Sequence, residues 1–466
     1  MTPVSLERRT KWRVGLMSLG CPKTLVDSEL VLGKLDPAKY EITPTIADCD
    51  IAILNTCAFI HSAQEESVDQ ILKLVELKKE GEIQKIVVLG CLVQRFAEDL
   101  QKELKEVDAF VGSGEYAKIP EVLERLNDES HEEEKISAIG VPGYLYTSGE
   151  NRISLTPLYS RYLKISEGCD HTCSFCVIPS FRGKHRSRGL EDILEEAEKL
   201  TSEGAREIIL TGQDTTFYGY DLGGRYLLPE LLKRLNQIQK LKWIRILYAY
   251  PSLVSDQLIE AVGSYSKVCH YLDMPLQHIS DSILKSMRRG TTRDSTRRLI
   301  RKLRERIPDL ALRTTLIVGY PGETEKHFQE LLDFMEEARF ERLGIFTYSQ
   351  EEGSLAAALS TQVSQKLKEK RLEEAMLLQQ KISMENNLRF LNRSFEVLLE
   401  GPAEKNPHTW LGRTYMDAPE VDGTVFLKVT NAGKLRRLRP GDFIPVRITA
   451  TQEYDLVGEV ATPVHA

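Results

Sequence analysis

The 466-residue chain reads as an α/β protein in three parts: an N-terminal parallel sheet, a central partial (β/α) barrel and a small all-β barrel at the C-terminus. Three observations predict this. Short apolar runs alternate with helical periodicity twice, over residues 12–126 and again over 157–385. Between them, residues 127–156 carry the acidic run NDESHEEEK and the turn-rich GVPGY, with no apolar periodicity, and read as a solvated linker. Over 390–463 the pattern changes to short strands punctuated by Gly and Pro, as in a small barrel. The chain is too long for one core, so two or three domains are expected.

In the first part, strands are expected over 13–19, 51–55, 86–89 and 107–111. Helices are expected from residue 28, over 63–80 and over 119–126. Cys21, Cys57 and Cys91 each fall at, or within two residues of, the carboxyl end of one of the first three strands. Such ends share one edge of an open parallel sheet, where these folds bind ligands. One cysteine there reads as a buried thiol. Three in the same position read as a shared site, assembled from residues far apart in sequence.

In the central part, strands are expected over 162–166, 207–211, 244–249, 270–274, 311–318 and 343–348. Helices fall between them over 191–202, 229–238, 255–262, 294–306 and 325–339. Six such units make a partial barrel, with its working groups at the carboxyl ends of the strands. The polar residues there are Gln213 and Asp214, Gln277 and His278, and the turn Gly319 to Glu323. A lone Gln-His pair reads as structural. A long helix over 365–390 leads to the terminal strands.

The stretch with the most specific chemistry is YLKISEGCDHTCSFCVIPSFRGKHRSR, residues 162–188. It places Cys169, Cys173 and Cys176 in a C-x3-C-x2-C array on one loop. Three thiolates can hold three irons of a 4Fe-4S cube and leave the fourth open for chemistry. Structural zinc would need a closed set of four ligands, and no His or Cys follows at finger spacing. The basic residues 182–188 beside the loop are placed to balance thiolate charge or to steer an acidic substrate. The arginine-rich helix after residue 288 reads as a solvated face.

Composition is that of a soluble globular chain, 41% hydrophobic and 28% charged, with net charge −7. No apolar run reaches a membrane span, and the start MTPVSLERRTKWRV lacks the apolar core of a signal peptide, so a cytoplasmic location is expected. Eight cysteines in a reducing compartment point to metal ligands or free thiols rather than disulfides. Cys49 and Cys269 lie outside both sets and read as small buried hydrophobes.

EGCDHTCSFC with its basic flank resembles the methylthiotransferases of the radical S-adenosylmethionine (SAM) superfamily. SLGCPKTLVDSE, LNTCAFI and VLGC resemble their N-terminal domain, and the terminal strands resemble the TRAM domain, a barrel related to oligonucleotide-binding folds. The resemblance covers nearly the whole chain. It implies two 4Fe-4S clusters, a radical-generating one on Cys169, Cys173 and Cys176 and an auxiliary one on Cys21, Cys57 and Cys91. SAM would serve as both radical source and methyl donor, with sulfur delivered through the auxiliary cluster. The resemblance also suggests Gln213 and Asp214 near the SAM amino group, and Arg313, Gly319 and Glu323 near its ribose and carboxylate.

GQDTTFYGYDL and RTYMDAPEVDG are similar to the protein-directed branch, whose substrate is an aspartate β-carbon of small-subunit ribosomal protein twelve. Residues 394–466 hold eight Lys and Arg against ten Asp and Glu, a balance suited to a basic protein partner. The tRNA-directed branch, acting on adenosine, stays open as the alternative; its members usually carry Asn where Asp214 stands. A non-catalytic metal-containing RNA-binding protein is the third reading, and it leaves the N-terminal cysteines without work. The chemistry needs a reductant of flavodoxin or ferredoxin type. Nothing in the sequence demands more than a monomer.

Overall fold

The computed structural model describes residues 11–128, 135–429 and 438–460. The N-terminal decapeptide, most of the acidic run (129–134) and residues 461–463 of the expected last domain lie outside them. The described residues fall into two compact units. The first holds 11–155, 166–171 and 176–188; the second holds 156–165, 172–175 and everything from 189 onward.

The first unit is built on β1 (Trp12–Ser18), α1 (Pro22–Gly33), β2 (Tyr40–Thr43), β3 (Ile51–Thr56), α2 (His61–Lys79), β4 (Lys85–Gly90), α3 (Cys91–Glu103), β5 (Ala109–Gly112), α4 (Ile119–Leu126) and β6 (Ile136–Ala138). Its sheet runs β2-β1-β3-β4-β5-β6, all parallel. Alternate residues of the central strands enter different cores. Ile51, Ile53, Val87 and Leu89 pack on one side, and Ala52, Leu54, Ile86 and Val88 on the other. Burial on both faces is why these strands read as unbroken apolar runs.

Three expectations change here. Helix α1 begins at Pro22 rather than at residue 28, because a first-turn proline gives up an N–H that the helix does not use. Helix α3 starts at Cys91 itself, although its polar stretch QRFAEDLQKE carries too few apolar residues to announce a helix. Part of the expected linker is strand β6, three residues long and so too short to show a period, paired along β5. After β7 (Ser160–Lys164), which belongs to the second unit, come β8 (Ser166–Glu167), α5 (Ile178–Arg182) and β9 (Arg186–Ser187), which belong to the first.

The second unit continues with α6 (Leu190–Ser202), β10 (Glu207–Thr211), α7 (Tyr220–Gly223), α8 (Leu228–Leu235), β11 (Trp243–Ile246), α9 (Asp256–Ser264), β12 (Val268–Asp273), α10 (Asp281–Ser286), α11 (Arg293–Arg306), β13 (Ala311–Val318), α12 (Glu325–Ala338), β14 (Arg342–Thr347) and α13 (Gln365–Leu388). Strands β7, β10, β11, β12, β13 and β14 form a six-stranded parallel sheet in sequence order, the expected open barrel. Ser255, Thr292 and Thr324 cap α9, α11 and α12 with their hydroxyls. Three arginines of α11 are paired: Arg293 meets Glu330, Arg297 meets Glu337 and Arg304 meets Glu341. Arg298 and Arg301 lie on its exposed face, as expected.

Strands β15 (Ser394–Ala403), β16 (Asn406–Arg413), β17 (Val425–Lys428), β18 (Phe443–Thr451) and β19 (Leu456–Val460) close into a barrel. Ion pairs bind it to the central sheet within the same unit. Glu207, fully buried, accepts from Ser160, Arg245 and Arg413. Arg342 pairs with Asp417, while Asp422 accepts from Arg313 and from the Tyr271 hydroxyl. Arg413, Asp417 and Asp422 all belong to RTYMDAPEVDG, so this motif is the joint of the barrel. Those charges are paired within the unit.

Candidate metal centres and cofactor site

Cys57 and Cys91 stand directly after β3 and β4, and Cys21 three residues after β1; the three strands are adjacent in the sheet. Neighbouring strands lie about 5 Å apart, so the parallel order alone steps the three residues across one edge. Gly20 lets the β1 loop close on Cys57. Its φ is +94°, and an added Cβ would lie 2.8 Å from Cys57 Cβ and 3.1 Å from its Sγ. Buried polar groups fix the rest. Asn55 Nδ2 donates to Thr24 O and Ser28 Oγ, tying β3 to α1. The Cys57 amide donates to Ser67 Oγ of α2, and that hydroxyl lies 3.1 Å from the Cys57 carbonyl.

The charges beside these thiols are arranged unevenly. Burial works against a Cys21 thiolate, but Lys23 and Arg182 outweigh it and hold this pKa below the ordinary thiol value. Burial and then the neighbouring Cys21 raise that of Cys57. Burial pushes Cys91 up to about 12, against the pull of Arg182. Arg182 donates from Nε to Cys91 Sγ (3.2 Å) and from Nη1 to Asp27 (2.7 Å) and Glu167 (3.3 Å). The expected charge-balancing role of the basic run is therefore met by Arg182, at a cysteine of the strand-end set. Arg188 is buried on the ring of Tyr146 and does not steer anything from the surface.

Of the loop cysteines, Cys169 and Cys176 belong to the first unit and Cys173 to the second. The Cys169 amide donates to Gly183 O, and Asp170 accepts from the His185 amide. Gly168 has φ +82°, and an added Cβ would meet Lys184 O at 2.1 Å. In the second unit, Ser174 holds the position beside Cys173. Its amide donates to Met287 O, its carbonyl accepts from Ala356, and its hydroxyl meets Ser286 O and Tyr320 Oη. Arg289 Nη1 donates to Cys173 Sγ at 3.5 Å. All three loop thiols are partly accessible, whereas Cys49 and Cys269 are buried, as expected for small core residues.

Among the described residues no group of three or more His, Cys, Asp or Glu side chains is placed to hold a single ion. The strand-end thiols are the donor type that a 4Fe-4S cube takes, each thiolate binding a different iron.

At the carboxyl end of β10, Gln213 is half-buried and Asp214 buried. One oxygen of Asp214 accepts from the Thr216 amide and hydroxyl and from the Phe217 amide, so it shapes its own turn. After β13, Glu323 Oε1 accepts from the Gly319 amide and Arg371, and His278 Nε2 lies 3.4 Å from Oε2. Sequence reasoning expects a cofactor contact at Glu323; its Oε1 holds the turn that Gly319 opens. Arg313 sits in the amino-terminal half of β13 and pairs with Asp273 and Asp422, away from the strand's carboxyl end. The charged joint at Glu207 was missed, although the charges punctuating RTYMDAPEVDG were its signal.

Family models match the chain in three places: the radical SAM superfamily over 163–335, an uncharacterised family designated UPF0004 over 13–112, and the TRAM domain over 393–461. Among solved structures, the radical SAM methyltransferase TsrM from Kitasatospora setae shares the fold, with TM-score 0.52 and 15% identity over 72% of this chain and 75% of that one. A parallel sheet with three strand-end thiols, a radical SAM barrel and a TRAM barrel define a radical SAM methylthiotransferase. Curated relatives narrow this further. The chain is 47% identical to the ribosomal protein uS12 methylthiotransferase RimO of Geobacter sulfurreducens, over 97% of this chain and 99% of the relative. It is 48% identical to RimO of Pelotomaculum thermopropionicum, over 96% and 99%. It is 43% identical to RimO of Clostridioides difficile, over 96% and 98%. The chain belongs to the RimO family.

Proposed function

We propose that this chain transfers a methylthio group to an aspartate β-carbon of ribosomal protein uS12. The single observation that carries the reading is 47–48% identity to uS12 methylthiotransferases over nearly the full length of both chains. The tRNA-directed reading is not favoured.

Cys169, Cys173 and Cys176 would hold one 4Fe-4S cluster, and Cys21, Cys57 and Cys91 a second. When bound, such clusters supply the electron that cleaves SAM and the iron that carries the sulfur to be transferred. The chain's own residues do the positioning. Gly168 and the Cys169 amide fix the entry to the loop, and Ser174 fixes Cys173 beside Tyr320. Gln213 and the main chain at Gly319 stand at strand ends where SAM would be bound, while Asp214 and Glu323 hold those turns in shape. Arg313 serves the barrel joint. A uS12 substrate implies work in the cytoplasm with a small redox protein as electron donor, and none of the described helices is long and apolar enough to cross a membrane.

The experiment is mass analysis of uS12 and of tRNA adenosine from cells with and without the gene. Loss of the methylthio mass from uS12 alone is expected. Loss from tRNA alone would move the chain to the other branch.

A further inference from the structure

Arg182 lies outside both cysteine sets yet is among the most buried charged groups of the first unit, 4% exposed. It ends α5, the short helix that follows Cys176. Its Nε is aimed at Cys91 Sγ, while Nη1 takes Asp27 of α1 and Glu167 of β8, one residue before Gly168 and two before Cys169. A guanidinium used only as an ion-pair strut would present its two-pronged edge to one carboxylate. Here Nη1 is shared between two carboxylates and Nε is given to sulfur. Anchors on both sides keep that geometry: Ser113 Oγ donates to Phe181 O, and Asp27 is wholly buried.

We infer that Arg182 is a positioning residue that donates a hydrogen bond to the Cys91 ligand sulfur, setting the reduction potential of the strand-end cluster and tying Cys91 to the segment that carries Cys169 and Cys176. This rests on the two-cluster reading above. A hydrogen bond and a fixed positive charge at a ligand sulfur stabilise the reduced cluster, so they raise its potential. Lysine keeps the charge but loses the planar donor that reaches sulfur and carboxylates together. Glutamine loses the charge.

The test is a potentiometric titration, followed by electron paramagnetic resonance, of the full-length reconstituted protein. The strand-end signal is assigned as the one that Cys57→Ala removes. Iron is counted in each variant. Arg182→Gln is expected to keep its iron and shift that midpoint to more negative potential, with the loop-cluster midpoint unmoved. Arg182→Lys should recover part of the shift. An unchanged strand-end midpoint at full iron in Arg182→Gln would overturn the inference, as would loss of iron from both variants alike, which would make Arg182 a strut. If Cys57→Ala removes no signal from the otherwise native chain, the two-cluster reading itself falls and takes the inference with it. That failure is visible without any arginine variant.

Discussion

Cys169, Cys173 and Cys176 share one loop, whereas Cys21, Cys57 and Cys91 are contributed by three strands that only the parallel sheet brings side by side. A local set is written in the spacing of one loop. A dispersed set exists only while β1, β3 and β4 remain neighbours in register. The dispersed set should therefore be the more sensitive to changes in packing. The local set should be sensitive chiefly to changes in its own turn.

The sharpest separation comes from the ligands themselves. Cys57→Ala should retain 5′-deoxyadenosine production and abolish methylthio transfer to uS12, whereas Cys173→Ala should abolish both; chromatographic assay of the two products decides. Next come the glycines that shape each site. Gly20→Val meets Cys57 in a backbone conformation valine resists, and should cost roughly 2–4 kcal/mol through strain and overpacking together. Gly168→Ala meets the Lys184 carbonyl and should instead impair chiefly the loop set. Iron counts and thermal melts of the two variants would show whether the damage is confined in this way.

The barrel joint gives a pH-dependent effect of similar or smaller size. Arg413 and Arg245 overcome the penalty of burial and hold the Glu207 carboxyl at about 2, below its ordinary value of 4.5. Because the folded value is depressed, this stabilisation is complete above about pH 4.5 and is lost as pH falls through about 2. Its full size is about 3 kcal/mol by linkage. Hydrogen exchange in β15 and β16 should accelerate over that window in the native chain and at neutral pH in Glu207→Gln. The smallest effect is expected at Ser67→Ala, which removes the hydroxyl partner of the Cys57 amide and should cost about 1 kcal/mol. Its melting point would be compared with that of a substitution at an exposed serine.

The sequence carried the six strands of the central sheet and four of the six in the first, because apolar runs are local signals. It carried less where the determinant was tertiary. Helix α3 hides in polar residues, and β6 is defined only by its partner β5. Arg313 was legible as a charged residue of β13, but its partner Asp422 lies far along the chain in the terminal barrel. Arg182 looked like one member of a basic run until the fold set it against Cys91.

The most direct test of two independent cysteine sets is iron and sulfide analysis of a chain with Cys21, Cys57 and Cys91 all replaced by Ala, reconstituted alongside the native protein. About four irons should remain, with SAM cleavage intact and methylthio transfer gone. Retention of about eight irons, or loss of all of them together with SAM cleavage, would contradict the account.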